Sequence, residues 1–134
     1  MISSQEAPRL GGTYADNVVY AWAEVPPGFG AGPINPVTPN SSFGVRTINW
    51  DGTTSTYTVA IEVNDQNGAP AMINKGSVTA TIESGGPTDP GCATIAVSSI
   101  TASSFKVWTH FVDFGSTTCR ALPYGFSFKV CGRP

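Results

Sequence analysis

The chain has 134 residues, a net charge of −2 and only 12% charged residues, with 15 Gly and 11 Pro. That is one domain in size, with about half the usual share of charge. Its scattered basic residues exclude the clustered Lys and Arg of a nucleic-acid surface. No apolar run reaches the length of a membrane-spanning helix, and no window carries a useful i, i+3, i+4 apolar pattern, so essentially no helix is expected.

Residues 1–17 contain Pro8, Gly11 and Gly12 and few large apolar groups. They read as an extended N-terminal arm, expected to dock on a neighbouring subunit through Met1, Ile2, Pro8, Arg9, Leu10 and Tyr14. The opening MISSQEAPRL lacks the charged-then-apolar pattern of a leader, and the expectation is a chain made in a cytoplasm.

Val18 to Val25, VVYAWAEV, is the first strand. Val18, Tyr20 and Trp22 share one face and Val19, Ala21 and Ala23 the other. Both faces are largely apolar, which predicts a strand that is either central or covered on both sides. Pro26 to Asn40 is rich in Pro and Gly, a composition that blocks helix and ladder hydrogen bonds. A loop this long is either a crossover between sheets or an interface. As an interface it would present Phe29, Ile34 and Val37.

Ser41 to Val63 reads as a β-hairpin. Phe43, Val45 and Thr47 lead to Trp50, and Tyr57, Val59, Ile61 and Val63 alternate with polar neighbours. Asp51-Gly52 between the runs predicts a tight primed turn. Phe43, Val45, Tyr57, Val59 and Ile61 are expected in the core. Asn64 to Gly68 is a turn that lacks the spaced carboxylates of a calcium loop. Further strands follow in VTATIE, with Val78, Ala80 and Ile82 on one face, and in Cys92 to Ile100. Ser104 to Val112 alternates through Phe105, Val107, Thr109 and Phe111. Tyr124 to Cys131 closes the chain with Phe126, Phe128 and Val130 inward. The prediction is an all-β fold, an antiparallel β-sandwich of about seven strands over residues 18–134, preceded by the extended arm. Ser41 to Thr47 also echoes Ser103 to Thr109, each with Phe, Val and Thr expected inward.

Little chemistry is legible. Three cysteines, one histidine and no CxxC spacing fit neither a zinc site nor a complete disulfide framework. Buried free thiols are expected, and a Cys119–Cys131 bridge requires that their strands adjoin. No GxSxG, HExxH or glycine-rich loop opening a helix is present. The carboxylates fall mostly at strand ends and turns, so neither an enzyme nor a bound cofactor or metal is expected. Lys106, Trp108 and His110 share the outer face of their strand and form a candidate surface patch. A covered Trp108 or a subunit contact is expected there ahead of a ligand site.

The order of Ala21-Trp22, SSFGV, Asp51-Gly52 followed by TYTV, SSFKV and a closing FSFKV resembles small β-domains on the virions of tailed bacteriophages. These include C-terminal domains of tail fibres and capsid decoration, or cement, proteins. The resemblance spans Val18 to Cys131. Two features depart from a fibre module: the domain begins close to Met1 with no coiled-coil shaft before it, and the Pro26 to Asn40 segment is long. The resemblance therefore implies, first, a non-enzymatic decoration protein on the capsid surface. Its partner would be the phage major capsid protein or another virion protein, and it would act as a homo-oligomer such as a trimer. The alternative is a tail-fibre or receptor-binding tip that recognises a host glycan or receptor.

Overall fold

A computed structural model describes residues 9–10, 13–14, 18–62, 74–83, 91–101, 103–113, 115 and 119–133. The turn expected at Asn64 to Gly68 lies outside them. The described chain holds twelve strands and no helix: β1 (Arg9–Leu10), β2 (Thr13–Tyr14), β3 (Val18–Val25), β4 (Asn35–Pro36), β5 (Ser41–Phe43), β6 (Val45–Asp51), β7 (Thr56–Ile61), β8 (Asn74–Ile82), β9 (Gly91–Ser98), β10 (Ser104–Asp113), β11 (Cys119–Ala121) and β12 (Phe126–Arg133). All pairings are antiparallel. One sheet runs β5-β3-β12-β8. The other runs β11-β10-β7-β6-β4, with β9 on the far side of β10. The two pack face to face as the expected all-β sandwich. Among the described residues of the N-terminal segment, β1 pairs with β2 as a separate two-stranded sheet. The seven expected strands are joined by short ones, and β4 shows that the Pro-rich segment does enter a ladder. Its Pro36 occupies the sheet edge, where a missing N–H is tolerated.

The core lies between the sheets. Ala21, Ala23, Val25, Phe126, Phe128 and Val130 from the smaller sheet meet Ile48, Trp50, Tyr57, Val59, Ile61, Phe105 and Val107 from the larger. Tilted and edge-on aromatic contacts cross the interface, Tyr57 to Phe126 at 4.8 Å and Phe105 to Phe128 at 5.1 Å between ring centroids. These are the favoured geometries for ring quadrupoles. Thr109, inward as its alternation predicts, is fully buried. Its hydroxyl donates to the Leu122 carbonyl and accepts the Tyr124 N–H, so the buried oxygen is satisfied.

Three expectations are corrected. The Ser41 to Asp51 run is not one strand: Gly44 adopts a positive φ of 69° and carries the chain from β5 in one sheet to β6 in the other. Phe43 therefore leaves the core and is 60% exposed, while Phe105 in the echoing segment is 1% exposed. The two segments are not structural equivalents. A register shift between Val45 and Thr47 then inserts Arg46 as an extra residue, which turns Ile48 and Trp50 inward and leaves Thr47 exposed. Phe43→Ser should accordingly cost less than about 1 kcal/mol, and Phe105→Ala about 3–5 kcal/mol, by urea denaturation.

The β6–β7 turn also differs. Asp51 pairs with Thr56, leaving a four-residue loop in which Asp51 Oδ1 accepts the N–H groups of Thr53 at 2.8 Å and Thr54 at 3.2 Å. Desolvation raises the Asp51 pKa, and these bonds together outweigh it, holding the carboxyl below its ordinary value. The left-handed residue is Ser55, at φ 54°, not Gly52. Of the two alternatives for β3 the central one holds: it lies between β5 and β12 by hydrogen bonding, with its Ala21–Ala23–Val25 face buried, while Trp22 is 40% exposed and Glu24 is exposed. Last, Cys119 on β11 and Cys131 on β12 belong to different sheets and are free thiols. Cys131 is half-buried and Cys119 is exposed rather than buried. The Cys92 side chain lies outside the described residues.

Candidate functional site

The Pro26 to Asn40 segment is fastened along its length. Gly28 N–H donates to Tyr57 Oη at 2.8 Å, and Tyr57 O–H donates to the Tyr124 carbonyl at 2.9 Å. Gly52 N–H donates to the Gly32 carbonyl at 2.9 Å, and the Asn35 amide donates to the carbonyls of Gly32 at 2.6 Å and Trp50 at 3.1 Å. Val37 N–H reaches Ile48 O and Asn40 N–H reaches Glu24 O, both at 2.8 Å. Two glycines are demanded by close approach. A Cβ on Gly28 would lie 2.7 Å from Trp50 Cβ, and one on Gly52 would lie 2.1 Å from the Gly30 carbonyl oxygen.

This fastened loop holds two large apolar side chains in water. Phe29 is 75% exposed and Ile34 is 71% exposed. Val37, expected beside them at an interface, instead half-buries against the core and anchors the loop. Met1, Ile2 and Pro8 lie outside the described residues. Arg9, Leu10 and Tyr14 belong to the β1–β2 pair, where Arg9 faces Tyr14 across the ladder.

Lys106, Trp108 and His110 do share the outer face of β10. Lys106 is exposed, and Trp108 and His110 are half-buried. The Trp108 and His110 rings stack with an 8° interplanar angle at 6.3 Å. Trp108 Nε1–H donates to Ser98 Oγ at 2.8 Å, so its one polar group is engaged within the fold. The indole is therefore braced against β9 rather than displayed.

A third surface escaped the sequence reading. On the outer face of the smaller sheet, Trp22 faces Phe43 on one side and Lys129 on the other. Beside that row, Glu24 faces Ser41 and Ser127. A shallow groove of about 360 Å³ runs along Trp22, Glu24, Ser41, Ser127 and Lys129 and extends to Thr79, Thr81 and Glu83. The signal was present in β3: Glu24 shares a face with Trp22, and a charged residue on an otherwise apolar face marks the side that meets water.

Among the described residues, no three His, Cys, Asp or Glu side chains converge as a metal site. Comparison with protein families, with curated proteins and with solved structures finds no match to this chain.

Proposed function

We propose that this protein is a non-enzymatic structural protein of a tailed-bacteriophage virion, a capsid decoration (cement) protein that binds the coat lattice. The observation that carries the reading is the fastened Pro26 to Asn40 loop with Phe29 and Ile34 turned outward. Such a loop is already ordered, so docking it costs little further conformational entropy. Burying each of the two side chains on a partner returns about 1.5–3 kcal/mol. Copies bridging junctions between coat subunits, as trimers for instance, would bury the loop and the arm together and so strengthen the shell. The resemblance of the strand motifs to virion-surface β-domains supports a coat protein as that partner.

Phe29→Asp combined with Ile34→Asp is expected to weaken attachment to undecorated capsids by roughly 30-fold or more, measured by co-sedimentation. The melting temperature should stay within a few degrees, because both side chains already face water. Removing Met1 to Ala15 should likewise abolish attachment without unfolding the sandwich. Unchanged occupancy in both variants would sink the decoration reading. A second reading, a tail-fibre tip that recognises the host surface, is favoured by the open aromatic face around Trp22. Immunogold labelling of virions separates the two by placing the protein on head or tail.

A further inference from the structure

We infer that the outer face of the four-stranded sheet is a binding site for a neutral oligosaccharide, centred on Trp22. The inference stands apart from the decoration reading: it concerns a different surface and holds for a protein on the head or on the tail.

Two parallel rows cross this face. In the first, Phe43, Trp22, Lys129 and Thr79 are successive cross-strand neighbours; in the second, Ser41, Glu24, Ser127 and Thr81 are. The rows lie two residues apart along each strand, or roughly 7 Å, and each spans three inter-strand spacings, or roughly 14 Å. Two adjacent aromatics, Phe43 and Trp22, thus lie at one end of a face that continues through Lys129 and Thr79 beside a row of hydroxyls and a carboxylate, over a length that suits a short chain of sugars better than a single ring.

A pyranose has the matching shape, with one apolar C–H face and a rim of hydroxyls. Its C–H face lies on an indole as apolar surface does on any aromatic ring. Its rim finds the acceptors of Glu24 and Glu83 and the dual donor–acceptor hydroxyls of Ser127 and Thr81. The charges along the groove are mixed, two carboxylates against Lys129. That set, with a net charge of only −1, disfavours a polyanion or an anionic lipid surface and is too weakly charged to hold a polycation firmly, so it fits an uncharged polar ligand. A purely apolar partner is disfavoured too, because it would strand these polar groups without water. The groove is open and shallow, so an extended chain can enter from either end.

The β10 patch is the natural comparison and does not share these properties. Its indole N–H is bonded to Ser98 and its rings stack on each other, which leaves less free aromatic surface.

The test uses the purified full chain and its own fluorescence. Cellotetraose, maltotetraose, chitotetraose and an array of bacterial surface polysaccharides are the probes. At least one neutral glycan should bind, with a change in tryptophan emission. Trp22→Ala should weaken that binding at least roughly tenfold, Trp22→Phe should retain most of it, and Glu24→Ala should weaken it. Trp108→Ala and Phe29→Asp should leave it unchanged, and Trp22→Ala should leave capsid attachment unchanged. Unaltered thermal melting of Trp22→Ala shows that the loss is local. Three results overturn the inference: no binding across the panel, binding that survives Trp22→Ala, or binding lost in Trp108→Ala instead. Self-association that disappears in Trp22→Ala would also overturn it, by showing that a second copy covers the face.

Discussion

Tyr57→Phe is expected to lower stability by about 2–3 kcal/mol, a large effect for the loss of one oxygen. Tyr57 is fully buried, and its hydroxyl both accepts from Gly28 N–H and donates to the Tyr124 carbonyl. Phenylalanine keeps the ring contacts with Trp50 and Phe126 but removes both hydrogen bonds and leaves the buried Gly28 amide without its acceptor. An amide orphaned in this way costs roughly 1–3 kcal/mol unless water reaches it. For a domain of this size the melting temperature should fall by about 4 °C per kcal/mol. The Phe29–Ile34 loop should loosen as well, since Gly28 is its first fastening point. Faster amide exchange at Gly28, confined to that loop, would report this.

The same residue gives a pH signature. Desolvation raises the Tyr57 pKa from 10.0 to about 12, against the smaller opposing effect of the Gly28 amide, which favours the phenolate. A raised native pKa means that the folded chain holds its proton longer than the unfolded chain. Below pH 10 both states are protonated and the contribution is complete. From pH 10 to 12 the unfolded chain ionises and the native one does not, so stability falls by roughly 1.4 kcal/mol per pH unit from this group. The difference between wild type and Tyr57→Phe should therefore shrink steadily across that window in urea titrations. A constant difference would mean that Tyr57 does not titrate as its burial requires.

Gly52→Ala should destabilise by about 1–3 kcal/mol, although it sits in a turn where alanine is ordinarily harmless. Its φ is not positive, so backbone strain plays no part. The cost comes from a methyl placed 2.1 Å from Gly30 O and within 2.9 Å of the Ala31 backbone, all of it main chain with no rotamer to move. The Pro-rich loop must shift outward and lose the Gly52 N–H bond to Gly32. A falling melting temperature accompanied by weaker capsid attachment would link the loop's geometry to its proposed role; a neutral substitution would show that the loop yields freely.

Much of the fold was legible because strand alternation is a local property. Tyr57, Val59 and Ile61, then Phe105, Val107, Thr109 and Phe111, then Phe126, Phe128 and Val130 face the core as their period of two requires. The candidate surfaces were less legible. Phe29 and Ile34 read as interface residues and are exposed, whereas Val37 reads the same way and half-buries against the core. Phe43 reads as core and is exposed, and Trp22 lies on a face that reads as apolar yet meets water.

The sequence by itself determined the class of fold, the principal strands and which face of most of them is apolar. Those follow from side-chain periodicity and turn chemistry, which act over a few residues. Only the tertiary structure decided that Gly44 sends Phe43 into the other sheet, that Arg46 resets the register of β6, and that Gly52 is needed for loop contact and not for its turn. Each depends on a partner that is distant or on the opposite sheet, and local pattern carries no record of it. The juxtaposition of Trp22 with Phe43 across β3 and β5, and of Gly28 with Tyr57, belongs to the same category. Both surfaces argued to bind partners are made by such pairings.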